Sequence, residues 1–505
     1  MLSKNKKIWF FFIILLLALA LRLPNIEKSL NGDEAYTVIG ARNNLSEIIP
    51  HLSKGEPHPP LTYILLHFWL FVGSSDGWIR LLFILFGLGV CFVTYLLAKE
   101  YINEEFGLLS MFFVSLLPGQ IYLSQYVRVY IVATFFISLS AYFFIKLLRY
   151  EHKFSNWLGY LISTICSLYT FYFVILFIIG ENIFLFINWN RYKKIITRWI
   201  LTQITILLLF SFWIPNLFMQ RFKISYSTVV AAKKGFYIAG QHFGLLARWV
   251  MATLGLDPIF LSEGLSGKLP HQLLAVVAIS SIIILFVVLT LAVNFFRKYH
   301  KIGRHEAYLF PVLVIVPIIV AGLWRNLSNG AVAARYFICI SGIFTLILIA
   351  AIFFIERKKA QIILISTFCF FCMLRLPVVY APEENWREAV NHIERELKTD
   401  DCIVFFRSGH SGYNYYANSN IPQITFATYM DMSQRTFDFL NIQQEDSKRL
   451  YQILKPYKRT WIILTHHLMF SGFDKMITWF SDNRYKILEE SKFEGIELLL
   501  YERPI

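Results

Sequence analysis

For its first three-quarters the chain alternates long apolar runs with short polar breaks, and then the pattern changes. Residues 79–98, 271–296, 332–355 and 360–374 are each almost free of charge, and most are long enough for the roughly 20 residues that cross a hydrocarbon core. Read throughout, the pattern predicts about eleven membrane spans, near 8–23, 79–98, 106–120, 128–148, 157–172, 173–189, 196–215, 271–296, 306–323, 332–355 and 360–376. The run 157–189 reads either as two short spans or as one span with a re-entrant piece. Ile8–Leu21, behind Lys4, Lys6 and Lys7, reads as a retained first helix or as a signal peptide cut near Ala18–Ala20; both put the N-terminus in the cytoplasm.

Beyond residue 376 the period shortens. Cys402–Phe406, Gln423–Phe426, Trp461–Leu464 and Leu498–Tyr501 read as short strands. Glu388–Leu397, Asp446–Leu454 and Phe473–Phe480 have helical spacing. That alternation predicts a polytopic α-helical membrane domain, 1–376, followed by a small soluble α/β domain, 377–505.

Composition supports the membrane reading. Apolar residues make up 56% and charged residues 16%, against about 45–50% and about 25% in ordinary soluble domains. The net charge of +15 raises nucleic acid as a partner, but many of the basic residues lie in clusters between spans, where cytoplasmic loops carry them. Lys99, Arg149 with Lys153, Arg191 with Lys193 and Lys194, Arg297 through Arg304, and Arg357 with Lys358 and Lys359 mark one side of the bilayer. The opposite side then holds the segments 24–78, 216–270 and 324–331 and, with an odd number of spans, the C-terminal domain. Asn44 and Asn326 head Asn-x-Ser sites on that side. The six cysteines include Cys369 and Cys372 in a C-x-x-C, but inside an apolar run and without a second pair, so they read as packing residues.

The outer segments carry the candidate chemistry. Asp33 and Glu34 are adjacent carboxylates just after the first span, suited to act as a base; the plainer reading is that Asp33 caps a helix through Ala41. His58, in His58-Pro59-Pro60-Leu61, is a phosphate contact, a metal ligand or a surface histidine in a rigid loop. An amphipathic aromatic run, Tyr63–Phe71, follows and suits the membrane interface. Arg80, Arg128 and Arg335 each open a span at its outer end, where basic residues are otherwise few. One such arginine can snorkel to headgroups; three at one boundary suit an anionic ligand held by paired hydrogen bonds. Nearly all spans lack acids, Glu181 being the clearest exception.

Taken in order, Asp33-Glu34, His58-Pro59-Pro60-Leu61, Arg80-Leu81-Leu82, Arg128-Val129-Tyr130 and Arg335-Tyr336 resemble the GT-C class of membrane glycosyltransferases. The similarity is to the branch of protein O-mannosyltransferases and lipid A aminoarabinose transferases, and it covers roughly residues 1–376. The resemblance implies an inverting glycosyltransferase at the outer face of the plasma membrane, moving a sugar from a polyprenyl-phosphate donor to a hydroxyl on a protein, glycolipid or surface glycan. It implies Asp33 as catalytic base with Glu34 second, and His58, Arg80, Arg128, Tyr130, Arg335 and Tyr336 as substrate-binding residues. Some relatives use a divalent metal ion; His58 and His242 are candidate ligands here, with no spacing that specifies a site. Two alternatives share the membrane bundle: a flippase for the same lipid, expected to show repeats or mid-span charges, and a non-catalytic scaffold.

Overall fold

The structure, a computed structural model, describes residues 3–53, 56, 58–220, 308–328, 337, 339–381, 383–406, 410–426, 450–465 and 473–504. The expected span 271–296, the site candidates His242, Arg335 and Tyr336, and the residues 446–449 of one expected helix lie outside these. The described residues fall into two compact units: 3–26, 45–220 and 308–381 form one, and 27–44 with 383–504 form the other.

The first unit is helical. Its elements are α1 (Lys4–Ala20), α3 (Leu45–Ser53), α4 (Leu61–Trp69), α5 (Asp76–Tyr101), α6 (Glu104–Leu116), α7 (Pro118–Gln125), α8 (Tyr130–Arg149), α9 (Phe154–Leu168), α10 (Val174–Ile187), α11 (Trp189–Ser211), α12 (Leu309–Ser328), α13 (Ser341–Phe353) and α14 (Lys358–Tyr380). Four of them, α5, α8, α11 and α14, are long and apolar enough to cross a membrane, and the bent pair α6–α7 makes a fifth. The helices α10, α13 and the 309–323 part of α12 are apolar but shorter. The run 157–189 resolves into two helices, α9 and α10, with a turn between them.

Local chemistry sets the breaks. Leu117 is extended, at φ −60° and ψ 118°, as a residue before proline must be, and Pro118 opens α7. The result is a 63° bend between α6 and α7. Arg22, fully buried, closes this break: Nη1 donates to Ala18 O (3.0 Å) and Ser115 O (3.2 Å), and Nε donates to Ser124 Oγ (3.0 Å). It thereby satisfies helix-end carbonyls that have no intrahelical partner. Gly87 lets α5 approach α7 there, since a Cβ at that position would lie 2.1 Å from Ser124 Oγ.

The second unit is a five-stranded sheet in the order β2-β1-β3-β5-β4, with β1 (Asp401–Phe406), β2 (Gln423–Phe426), β3 (Arg459–Thr465), β4 (Lys486–Phe493) and β5 (Ile496–Glu502). β1 pairs parallel with β2 and β3, and β5 pairs antiparallel with β3 and β4. Side chains alternate across the sheet. Ile403, Phe405, Trp461, Ile463, Leu498 and Leu500 pack with Trp386 and Ile393 of α15 (Trp386–Glu396) and Tyr413 of α16 (His410–Tyr416). Cys402, Val404, Ile462, Leu464, Leu499 and Tyr501 pack with Trp479 and Phe480 of α17 (Phe473–Asp482). Both faces are covered, which is why these strands read as continuous apolar runs. At the start of the parallel strands Arg459 donates to both Asp401 oxygens, at 2.8 and 2.6 Å, and Trp461 Nε1 donates to the same carboxylate at 3.2 Å.

This unit also takes in α2 (Gly32–Arg42), the helix of the first outer segment, which packs on α16. Leu30 N donates to Tyr416 Oη at 2.7 Å, and the Arg42 guanidinium lies 4.7 Å over the Tyr415 ring.

Candidate functional site

The acid pair divides by role. Asp33 is not the N-cap of α2; Asn31 is. Asn31 Oδ1 accepts from Glu34 N and Glu34 Oε2 accepts from Asn31 N, each at 2.9 Å, a complete capping box. Asn31 wins because its short amide oxygen reaches the third residue of the helix from an extended backbone. Glu34 is buried and committed to the helix start, whereas Asp33 is exposed. The start of α2 is itself fixed: Gly32 N donates to Glu384 Oε2 and Asn31 Nδ2 to Glu383 Oε2, both at 2.8 Å. Trp386 Nε1 donates to Glu384 Oε2 at 2.6 Å. Asp33 thus sits exposed on an anchored helix start.

In the helical unit three further candidates converge. Arg128 stands in the non-helical stretch between α7 and α8, and Tyr130 begins α8. Arg128 Nη2 donates to Glu56 Oε1 at 3.1 Å, and His58 Nε2 lies 3.7 Å from the same oxygen. The His58 ring meets Tyr130 and Phe171 at centroid distances of 5.8 and 5.6 Å, and Tyr130 meets Phe171 edge-on at 5.6 Å. Tyr122, Tyr126 and Tyr130 stack in succession across the break between α7 and α8, at 5.3 and 6.2 Å. Glu56, His58 and Arg128 are exposed by only 2%, 3% and 6%, so polar contacts among them act in a medium where electrostatics are stronger than in water.

The segment bearing His58 is braced by the turns behind it. Leu61 N donates to Tyr169 O at 2.9 Å. Gln220 Nε2 reaches the carbonyls of Leu52 (3.3 Å) and His58 (3.4 Å), and its own oxygen accepts from Tyr172 Oη at 2.5 Å. Trp213 Nε1 in turn donates to Tyr172 Oη at 2.6 Å. Ile48, Leu52, Tyr63 and Trp213 form the apolar seat beneath.

Arg80 is fully buried and placed differently. Its Nε donates to Gln125 O and its Nη1 to Ile26 O, both at 3.1 Å, while Gln125 Nε2 donates to Arg22 O (3.0 Å) and Pro24 O (2.7 Å). These bonds tie the turn after α1 to the end of α7. The mid-helix acid Glu181 lies elsewhere, on α10, accepting from Tyr160 Oη at 2.6 Å, with Gln203 Nε2 donating to that hydroxyl at 3.2 Å.

Reading the sequence for paired acids and outer arginines passed over Glu56, Phe171 and Gln220. Glu56 had a signal, an acid two residues before His58-Pro59-Pro60; Phe171 and Gln220 had none beyond apolar or polar type. Among the described residues no three His, Cys, Asp or Glu side chains converge to hold a metal ion. Among the described residues Glu56 and His58 offer two donors side by side, fewer than the three or four protein ligands of a zinc site.

Residues 57–217, which span His58, Arg80, Arg128 and Tyr130, match the family model of the dolichyl-phosphate-mannose-protein mannosyltransferases. No curated protein matches. Among solved structures, the ArnT of Cupriavidus metallidurans in the apo state aligns with a TM-score of 0.60 at 8% identity, over 98% of this chain and 97% of that one. The same protein bound to undecaprenyl phosphate gives 0.58 at 9% identity, over 99% and 98%. The Archaeoglobus fulgidus oligosaccharyltransferase AglB, in complex with an inhibitory peptide and a dolichol-phosphate, gives 0.56 at 11% identity, over 98% and 74%. The chain is thus a membrane protein with the GT-C fold, the fold of ArnT and AglB.

Proposed function

We propose that this protein is an inverting glycosyltransferase that moves a sugar from a polyprenyl-phosphate donor to an acceptor hydroxyl. The observation that carries the reading is the convergence of His58 with Arg128 and Tyr130, from two stretches of the chain, in one buried cluster within the segment that matches the mannosyltransferase family. The undecaprenyl phosphate of one structural neighbour and the dolichol-phosphate of another support a lipid phosphate as the donor's anionic end.

The chemistry asks for little. The acceptor oxygen attacks the anomeric carbon as the bond from that carbon to the phosphate oxygen breaks, and the bonding electron pair leaves on the phosphate. A carboxylate takes the hydroxyl proton; the resemblance assigns this to Asp33, and its exposure on an anchored helix start supports the assignment. Arg128 and His58 stabilise the charge that grows on the leaving phosphate, so no general acid is needed. Attack opposite the leaving group inverts the anomeric configuration, and two carboxylates acting in turn are not required. We assign the reaction to the outer face of the plasma membrane in a bundle of about eleven spans, with 383–504 extracytoplasmic and the N-terminus cytoplasmic.

The test is transfer in reconstituted membranes from a polyprenyl-phosphate-linked sugar, read as release of polyprenyl phosphate. Asp33→Asn should lower turnover by about 10²- to 10⁴-fold with the unfolding temperature unchanged. Wild-type turnover in that variant overturns the base assignment. Movement of the donor across the bilayer by the wild type, without transfer, overturns the enzyme reading.

A further inference from the structure

We propose that Glu56 is a positioning residue for the donor phosphate, acting through Arg128 and His58; the proposal rests on the reading of those two residues as phosphate contacts. The arginine needs such help. Arg128 sits where α7 has ended and α8 has not begun, so no helix sets the direction of its side chain. A long side chain ordered only when ligand arrives charges its lost rotamer freedom against binding. Glu56 Oε1 removes that freedom beforehand by fixing Nη2 at 3.1 Å, and the same oxygen lies 3.7 Å from His58 Nε2. One carboxylate therefore addresses two candidate contacts that lie 70 residues apart in the chain.

Glu56 is itself well held. Its backbone N–H donates to Leu52 O at 3.2 Å, extending the last turn of α3, and its side chain is almost fully buried. A buried carboxylate beside an anion site is costly unless it does something. It repels the incoming phosphate, and it stabilises the fold little more than a well-packed apolar residue would. These two effects predict opposite signs for its removal. If Glu56 only balances charge, neutralising it strengthens binding of an anion. If it orients the guanidinium and the imidazole, neutralising it weakens binding, because misplacing a contact by about 1 Å costs on the order of 100-fold. The shared oxygen favours the second.

The experiment measures binding of a polyprenyl phosphate, and of the uncharged polyprenol of the same length, to the full-length protein in detergent. The wild type should bind the phosphate more tightly. Glu56→Gln should weaken the phosphate by about 10- to 100-fold and leave the polyprenol unchanged, and adding Arg128→Lys to Glu56→Gln should cost less than Arg128→Lys alone. Phosphate binding by Glu56→Gln as tight as the wild type's, or tighter, overturns the positioning role. Equal loss for both lipids also overturns it, because it marks a general disturbance of the fold. If the wild type binds the two lipids alike, the phosphate reading of the cluster fails instead. Should Glu56→Gln not fold, Glu56→Asp decides: it keeps the charge and shortens the reach, so positioning predicts a weaker phosphate and charge balance predicts no change.

Discussion

At the scale of single residues, adjacent acids have different fates because helix geometry distinguishes them. Glu34 falls at the third position of α2 and folds back on the Asn31 N–H; Asp33, one residue earlier, is exposed. Glu34→Ala should therefore act on stability, costing about 1 kcal/mol as capping changes do, with turnover at saturating donor kept. Thermal unfolding and transfer measured on the same preparation check this. Loss of transfer at an unchanged unfolding temperature would move the base from Asp33 to Glu34. The arginines divide in the same way. Arg22 and Arg80 give the donors described above to backbone carbonyls at helix ends and turns and, for Arg22 Nε, to the Ser124 hydroxyl, whereas Arg128 meets a carboxylate and a histidine. Position at the outer end of a span is visible in a sequence; what a guanidinium meets there is a property of the fold.

At the scale of elements, the strands were legible because their alternation is strong, and the long apolar runs announced helices. The expected strand Gln423–Phe426 coincides with β2, and the other three expected strands lie inside or overlap β1, β3 and β5. β4 went unread: Lys486, Glu489, Glu490 and Lys492 give it the charged face of an edge strand, and a bulge between Ile487 and Glu489 interrupts its alternation. The break between α6 and α7 was folded into one expected span, 106–120, although Pro118 announced it. Charge at this scale also makes the C-terminal unit sensitive to acid. Partial burial pushes the Glu394 carboxyl up, but hydrogen bonds from the backbone N–H groups of Asn418 and Ser419, and from the Asn418 side chain, outweigh it and hold the group below its usual 4.5. Glu489 is likewise lowered, burial opposing and Ser491 and His392 prevailing. A carboxylate lowered in the folded state contributes stability above its unfolded value, and that contribution is lost as pH falls through the folded value. Thermal unfolding of the full chain between pH 6 and pH 3 should show Glu394→Gln less stable than wild type at pH 6, with the gap closing below about pH 4.5. A gap that stays constant with pH would remove Glu394 from the account.

At the scale of the whole molecule, the sequence pattern carried the membrane character and the order of motifs, and the fold supplied what order alone does not. It grouped α2, with Asp33, into the same compact unit as the C-terminal sheet, a long-range association that composition around residue 377 does not encode. It also brought Glu56 to Arg128 across four intervening helices, α4 to α7, and the break that follows them. The central claim is that the cluster of Glu56, His58, Arg128 and Tyr130 receives the phosphate of a lipid-linked donor. The most direct measurement is an experimental structure of this protein with a polyprenyl phosphate bound. The account predicts the phosphate within hydrogen-bonding distance of Arg128 or His58, with the Arg128–Glu56 contact kept. A phosphate bound in the helical unit away from both residues, for instance beside Tyr160 and Gln203, would contradict it.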